Sequence, residues 1–173
     1  MLKQIQPQSQ VSKEDFLDAM SSLPAGVTVI TTTDDNGQPS GATLSAVCSL
    51  SLEPRLVLAC FDKKSTTLDI LKTAGRTFLL HILAGDQQDL AMLFASKGNA
   101  KFAQTELRIF YGLPRIEGST HVLACKVYQT VDAGDHDIVI GEVFDIDACE
   151  SADPLIYCKR KMINFRELTG DEA

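Results

Sequence analysis

The chain has 173 residues, 45% hydrophobic and 23% charged, with a formal net charge of −7 at pH 7. That length supports one domain, or two small ones, with a sizeable core. The acidic balance argues against a nucleic-acid backbone as the main partner, but leaves room for a small anionic ligand held in a local basic pocket.

Residues 1–13 read as a flexible polar arm, 14–165 as the folded domain and 166–173 as a polar tail. Ser12 stands as an N-cap before Lys13-Glu14-Asp15, and Phe16, Leu17, Met20 and Leu23 fall on one helical face. Pro24-Ala25-Gly26 ends that helix. A β-branched run from Val27 to Thr33 then meets Asp35-Asn36-Gly37, where Asn-Gly accepts the positive φ angles of a tight two-residue hairpin turn. On the returning limb Thr43, Ser45, Ser49 and Ser51 alternate with Leu44, Val47, Leu50 and Leu52. Pro54 precedes an apolar strand from Leu56 to Phe61.

Ser65 caps a predicted helix containing Leu68, Ile70 and Leu71, with Gly75 at its stop. Arg76 to Leu83 is a short buried strand. Asp86 is placed to cap a further helix through Leu90, Met92, Leu93 and Phe94, ending near Gly98. Asn99 to Thr105 reads as a loop and Leu107 to Tyr111 as an edge strand. Two long strands, His121 to Val131 and His136 to Cys149, are joined at Asp132-Ala133-Gly134-Asp135, and Pro154 to Tyr157 is a last strand. About six or seven strands in hairpins, with two or three connecting helices, predict a mainly β fold: an antiparallel β-barrel with peripheral helices, not a parallel doubly wound sheet.

The cysteines, Cys48, Cys60, Cys125, Cys149 and Cys158, form no C-x-x-C pair and lie mostly in apolar runs. They read as buried free thiols in a reducing compartment, and no metal site is expected. Residues 1–12 lack the apolar core of a signal peptide, and no run approaches the roughly 20 apolar residues of a membrane span. The expectation is a cytoplasmic protein.

Several stretches carry two readings. The limb from Thr43 to Ser51 is either a half-exposed strand with outward hydroxyls or a ligand-facing strand whose amides and hydroxyls meet a polar ring edge. Asp62-Lys63-Lys64-Ser65-Thr66 is either a solvated charge run before an ordinary cap or a phosphate seat. Gly134-Asp135-His136 is either a hairpin turn with an exposed histidine or the mouth of a pocket. Lys101-Phe102 supplies either a loop lysine and a core ring, or a cation and a wall beside a ligand. His81 and His121 sit among apolar neighbours and read as structural. No G-x-G-x-x-G, Walker loop, nucleophile elbow or H-E-x-x-H occurs.

Three stretches taken together resemble the flavin reductase-like, FMN-binding split-barrel family, including the reductase components of two-component flavin monooxygenases. They are Pro24 to Thr32 (PAGVTVITT), Thr43 to Pro54 (TLSAVCSLSLEP) running on to Lys64-Ser65, and Gly112 to Val143, with GLPRIEG and DAGDHDIVIGEV. The resemblance covers about residues 14–157. It departs at Arg55, where a second proline is common, at Ala100, where an acid is common, and over Cys158 to Met162, which lacks the usual aromatic and glycine.

The resemblance implies a split-barrel homodimer that transfers hydride from NADH or NADPH to FMN or FAD and supplies reduced flavin to a monooxygenase. An oxidase or ferric/quinone reductase with tightly bound FMN, and a non-catalytic flavin-binding module, are the alternatives. By position, Val29, Ile30, Thr31 and Thr32 would line the flavin. Thr43, Leu44, Ser45, Ala46, Ser49 and Ser51, with Phe61 on the next strand, would contact its ring and ribityl chain. Lys64, Ser65 and Thr66 would hold its phosphate, and Lys101 and Phe102 match the family's basic-Phe pair. Gly134, Asp135 and His136 match its GDH motif, with His136 orienting the nicotinamide.

Overall fold

The computed structural model of the chain describes residues 10–148 and 152–169. The Ser12 hydroxyl accepts the Asp15 amide at 3.0 Å and opens helix α1, Lys13–Ser21, whose first turn is acidic. The apolar face expected of this helix forms, but no residue of α1 is buried, and Phe16, Leu17 and Met20 are exposed.

Strands β1 (Ala25–Gly26) and β2 (Thr28–Thr33) follow, then β3 (Pro39–Leu44), β4 (Val47–Leu52) and β5 (Arg55–Asp62). The β2–β3 turn is not the expected two-residue one. Residues 34–38 form a wider loop in which the Asp34 carboxylate accepts the Asn36 and Gln38 amides at 2.9 and 2.8 Å, and Gly37 takes a φ of +76°. Helix α2 (Thr66–Leu71), β6 (Thr77–Ile82) and helix α3 (Gln88–Ala95) come next. Gln87, not Asp86, stands at the N-cap of α3. Its Oε1 accepts the Ala84 amide at 3.0 Å, and the helix has no side-chain cap bond.

A 3-10 turn over Ala100–Gln104 replaces the expected loop and leads to β7 (Leu107–Phe110), β8 (Leu113–Ile116) and the long hairpin β9 (His121–Ala133) and β10 (His136–Ala148). After β11 (Leu155–Cys158), a further strand β12 (Lys161–Asn164) and helix α4 (Phe165–Thr169) occupy residues read in part as a polar tail. Lys159 and Arg160 turn between β11 and β12 at φ 48° and 62°, without the glycine that marks such turns in a sequence.

One seven-stranded sheet has the order β3-β2-β6-β9-β10-β5-β4, and its recorded pairings are antiparallel. Strands β3 and β4 lie at its two ends yet are joined through Ser45-Ala46 alone. The sheet must therefore curl until its ends meet, which makes a barrel. Closure is incomplete: among the described residues β3 has a ladder with β2 only, and the Cys60 amide donating to the Ala46 carbonyl at 2.9 Å carries the β4–β5 ladder one step further, up to the link. This is the split of a split barrel. Bulges in the β9–β10 ladder assist the coiling. Gly141 lets the Phe78 ring cross β10, since a Cβ there would lie 2.5 Å from the ring.

Two apolar clusters flank β2. Ile30 joins Phe61, Leu68, Phe78 and Leu80 on one side, and Val29 joins Leu83, Phe94, Phe102 and Ile116 on the other. Burial of both faces explains why this strand carries no apolar–polar alternation. Of the described thiols only Cys125 is buried, with its pKa pushed up to about 12 by that burial. Cys60 and Cys158 are half-buried and Cys48 is exposed, against the expectation of buried thiols. Cys149 lies outside the described residues. No helix among the described residues is long and apolar enough to cross a membrane.

Candidate functional site

A cavity of about 650 Å³ opens at the barrel seam. Its first wall is the end of β3 and the Ser45-Ala46 link. The Thr43 hydroxyl donates to the Ala91 carbonyl at 2.6 Å, which fastens β3 to α3, and Leu44 belongs to the core. Ser45 and Ala46 are therefore the exposed part of this wall, beside a strand edge with no ladder partner among the described residues. Such an edge offers backbone donors and acceptors to a polar ring. Cys60 and Phe61 at the end of β5 border the same space.

The second wall is the turn into α2. The Asp62 carboxylate accepts the Lys64 amide at 2.8 Å, and the Ser65 hydroxyl accepts the Leu68 amide at 3.4 Å as the N-cap. The Thr67 and Ser40 hydroxyls meet at 3.0 Å and tie α2 to β3, the strand of the first wall. Lys64 is exposed and makes no salt bridge among the described residues, so its charge stands free at the cavity beside the Ser65 hydroxyl.

The third wall is the end of α3, from Phe94 to Gly98, backed by Lys101. The Lys101 ammonium is buried, donates to the Ser96 and Phe94 carbonyls at 2.8 and 3.2 Å, and lies 5.4 Å from the Phe94 ring centre. It caps the otherwise unpaired carbonyls of the helix end. Burial pulls its pKa below the ordinary lysine value. Phe102 packs edge-on against Phe94 at 5.2 Å.

His136 stands at the lip, half-exposed, with Nδ1 2.7 Å from the Asp135 carboxylate. The hydrogen bond from His136 lowers the Asp135 pKa. His81 is remote from the cavity and fully buried. Its Nδ1 pairs with the Val29 carbonyl at 2.9 Å and its Nε2 accepts the Ile116 amide at 3.1 Å, which fixes the neutral form with Nδ1 protonated. Desolvation lowers its pKa to about 4. His121 is exposed at the start of β9 and not among apolar neighbours as expected.

The cavity thus gathers Thr43, Leu44, Ser45, Ala46, Phe61, Lys64, Ser65, Thr66, Lys101 and His136. Other anticipated residues lie off it. Val29, Ile30, Thr31 and Thr32 are buried on β2, an inner strand paired on both sides, where the two hydroxyls donate to the Pro114 and Thr77 carbonyls at 2.6 and 2.9 Å. Ser49 and Ser51 lie beyond the link on edge strand β4, and Ser51 Oγ accepts the Glu53 amide at 3.2 Å. Phe102 stands behind Phe94, and Gly134 and Asp135 form the hairpin tip outside the lip. The cavity adds Gly41, Ser96, Lys97 and Gly98, which sequence reasoning passed over as ligand contacts, and it includes Asp62, the first residue of the expected phosphate seat. The Ser96-Lys97-Gly98 stretch signals only a helix stop in the sequence, since nothing local shows that the helix end borders a cavity.

The model of the flavin reductase like domain family matches residues 20–166 of this chain. The FMN reductase (NADH) of Pseudomonas syringae pv. syringae is 38% identical over 161 residues, covering 91% of this chain and 89% of that one. The reductase subunit of a flavin-dependent monooxygenase of Mycobacterium tuberculosis is 35% identical over 166 residues, covering 95% of this chain and 85% of its own. The NADH:FAD oxidoreductase of Streptomyces globisporus, solved with NAD and FAD fragments, superposes with a TM-score of 0.82 at 26% identity, covering 91% of this chain and 97% of that chain. With this match, the split barrel and the cavity at its seam, the chain belongs to the flavin reductase-like family.

Proposed function

We propose that this chain is an NAD(P)H-dependent flavin reductase, taking NADH or NADPH and FMN or FAD and supplying reduced flavin to a partner monooxygenase. One observation carries the reading: a single cavity bordered by Ser45, by Lys64-Ser65-Thr66 and by His136. The residues fit a flavin nucleotide. Lys64 and the Ser65 and Thr66 groups supply a cation and donors for a phosphate. The unladdered edge of β3 would offer backbone donors and acceptors to the polar rim of a ring, and Phe61 and Leu44 would give it an apolar floor. When both are bound, the nicotinamide and the flavin supply the donor and acceptor of the hydride, so no protein acid or base is required. The chain's part is to bind, orient and exclude water, with His136 orienting the nicotinamide at the lip.

The family resemblance also supports a homodimer. The apolar side chains of α1 and the exposed Tyr111 and Phe144 are surface of the kind a second copy would cover. Free thiols and NAD(P)H use accord with a cytoplasmic location.

The test is anaerobic NADH oxidation by the purified protein with FMN and FAD in turn, together with its size-exclusion mass. Rapid oxidation that requires added free flavin is expected. Copurified flavin without NADH oxidation would overturn the activity.

A further inference from the structure

We propose that Lys63 is a positioning residue for the nicotinamide side of this reaction: it clasps the β9–β10 hairpin tip and thereby holds His136 at the cavity lip. This rests on the reading of the cavity given above. The adjacent lysines do different things. Lys64 borders the cavity, whereas Lys63 does not. Lys63 Nζ lies 2.6 Å from Asp132 Oδ2 and donates to the Gly134 carbonyl at 2.8 Å, and its backbone amide donates to the Asp135 carbonyl at 3.1 Å. The same ammonium is 3.8 Å from Asp137 Oδ1.

Asp137 makes the arrangement more than a surface ion pair. Its carboxylate is buried on β10, with Lys72 at the end of α2 3.1 Å from Oδ2, while Oδ1 has no hydrogen-bond partner among the described residues and lies 3.8 Å from the Lys63 ammonium. A buried carboxylate requires compensating cations, and these two come from the two ends of the α2 segment. That segment also carries Ser65 and Thr66 at the cavity. The network therefore ties the histidine-bearing hairpin to the α2 segment, which the Ser65 cap, the Ser40–Thr67 pair and the Lys72–Asp137 pair hold in place without Lys63.

The tip needs such a fastening. The β5–β10 ladder ends at the pair His136↔Asp62, so Gly134 and Asp135 extend beyond it. Asp135 holds His136 through Nδ1, so displacement of the tip displaces the imidazole. The long β9–β10 ladder itself does not depend on Lys63, so losing the clasp moves the tip without unfolding the hairpin.

The test is steady-state kinetics of wild type, Lys63→Met and Lys63→Arg, with NADH and FMN varied separately. Lys63→Met is expected to raise the KM for NADH roughly five- to tenfold, with kcat and the KM for FMN within about twofold of wild type. Lys63→Arg, which keeps charge and donors, should recover most of the loss. An equal rise in both KM values, or no change in either, overturns the proposal. If Lys63→Met does not fold, Asp132→Asn tests the same clasp from its exposed partner. An inactive wild type would instead overturn the flavin-reductase reading. The clasp is then read by hydrogen exchange: faster exchange of amides 133–136 in Lys63→Met supports it, and unchanged exchange overturns it.

Discussion

Ser45, at the end of β3, and Ser65, capping α2, border one cavity, and the Ser40–Thr67 hydroxyl pair at 3.0 Å locks the elements that carry them. A ligand reaching from one serine to the other touches the seam and the helix turn at once. The free cation at that turn is Lys64. Replacing it with methionine keeps the aliphatic stem and removes the charge. Lys64→Met is expected to weaken FMN binding roughly tenfold and to leave riboflavin, which lacks the phosphate, unaffected. Fluorescence titration with both ligands checks this, and a parallel loss for both would show that Lys64 holds no phosphate.

His136 stands at the lip with its Nδ1 committed to Asp135, leaving Nε2 for a ligand. His136→Ala is expected to impair NADH use, seen as a slower approach to reduced flavin at subsaturating NADH in stopped-flow, by roughly tenfold. Flavin affinity should change by about twofold or less. Comparable damage to flavin affinity would remove the histidine from the nicotinamide side.

The features legible in the sequence were those set by local chemistry. The Ser12 and Ser65 caps and the β9–β10 hairpin follow from a few adjacent residues each. The alternating limb from Thr43 was recognisable as extended, but its division at Ser45-Ala46 into the two ends of a barrel is a property of the whole sheet. The family resemblance places Thr31 and Thr32 at the flavin, and nothing nearby in sequence shows that β2 is covered on both faces. Lys101 carries two readings in the sequence, loop lysine or cation beside a ligand, because the carbonyls it meets are set by the fold. Its carbonyl partners on α3 claim the ammonium, so it shapes the cavity from behind. Strand β12 stayed hidden because Lys159-Arg160 turns left-handed without glycine.

His81 gives the fold a pH dependence whose sign is fixed by its burial. In the unfolded chain the imidazole takes a proton near its ordinary pKa of 6.5, whereas the buried ring resists protonation down to about 4. Between those values the unfolded chain binds more protons, so stability falls as pH drops from 6.5 towards 4 and the contribution is complete above that window. The full window is worth roughly 3 kcal/mol. In urea titrations, wild type should lose about 2 kcal/mol more than His81→Gln between pH 7 and pH 5. Equal losses in the two proteins would mean that another group carries the dependence.

Gly41 sets how closely β3 approaches both β2 and the aromatic pair behind the cavity. A Cβ at this position would lie 2.9 Å from the Ile30 carbonyl oxygen, 3.1 Å from Phe94 Cε1 and 3.2 Å from Phe102 Cζ. The first contact is backbone within the β2–β3 ladder and cannot rotate away, and the rings are held edge to face by each other. The added methyl must therefore push β3 outward, a shift that costs about 2 kcal/mol by the usual penalty for overpacking. Because Gly41 also borders the cavity, the same shift displaces the wall that carries Ser45. Gly41→Ala is thus expected to lower Tm by about 4–8 °C and to weaken flavin binding together with it. A variant with unchanged Tm and unchanged flavin affinity would show that the seam has slack, and that the close approach of β3 does not shape the site.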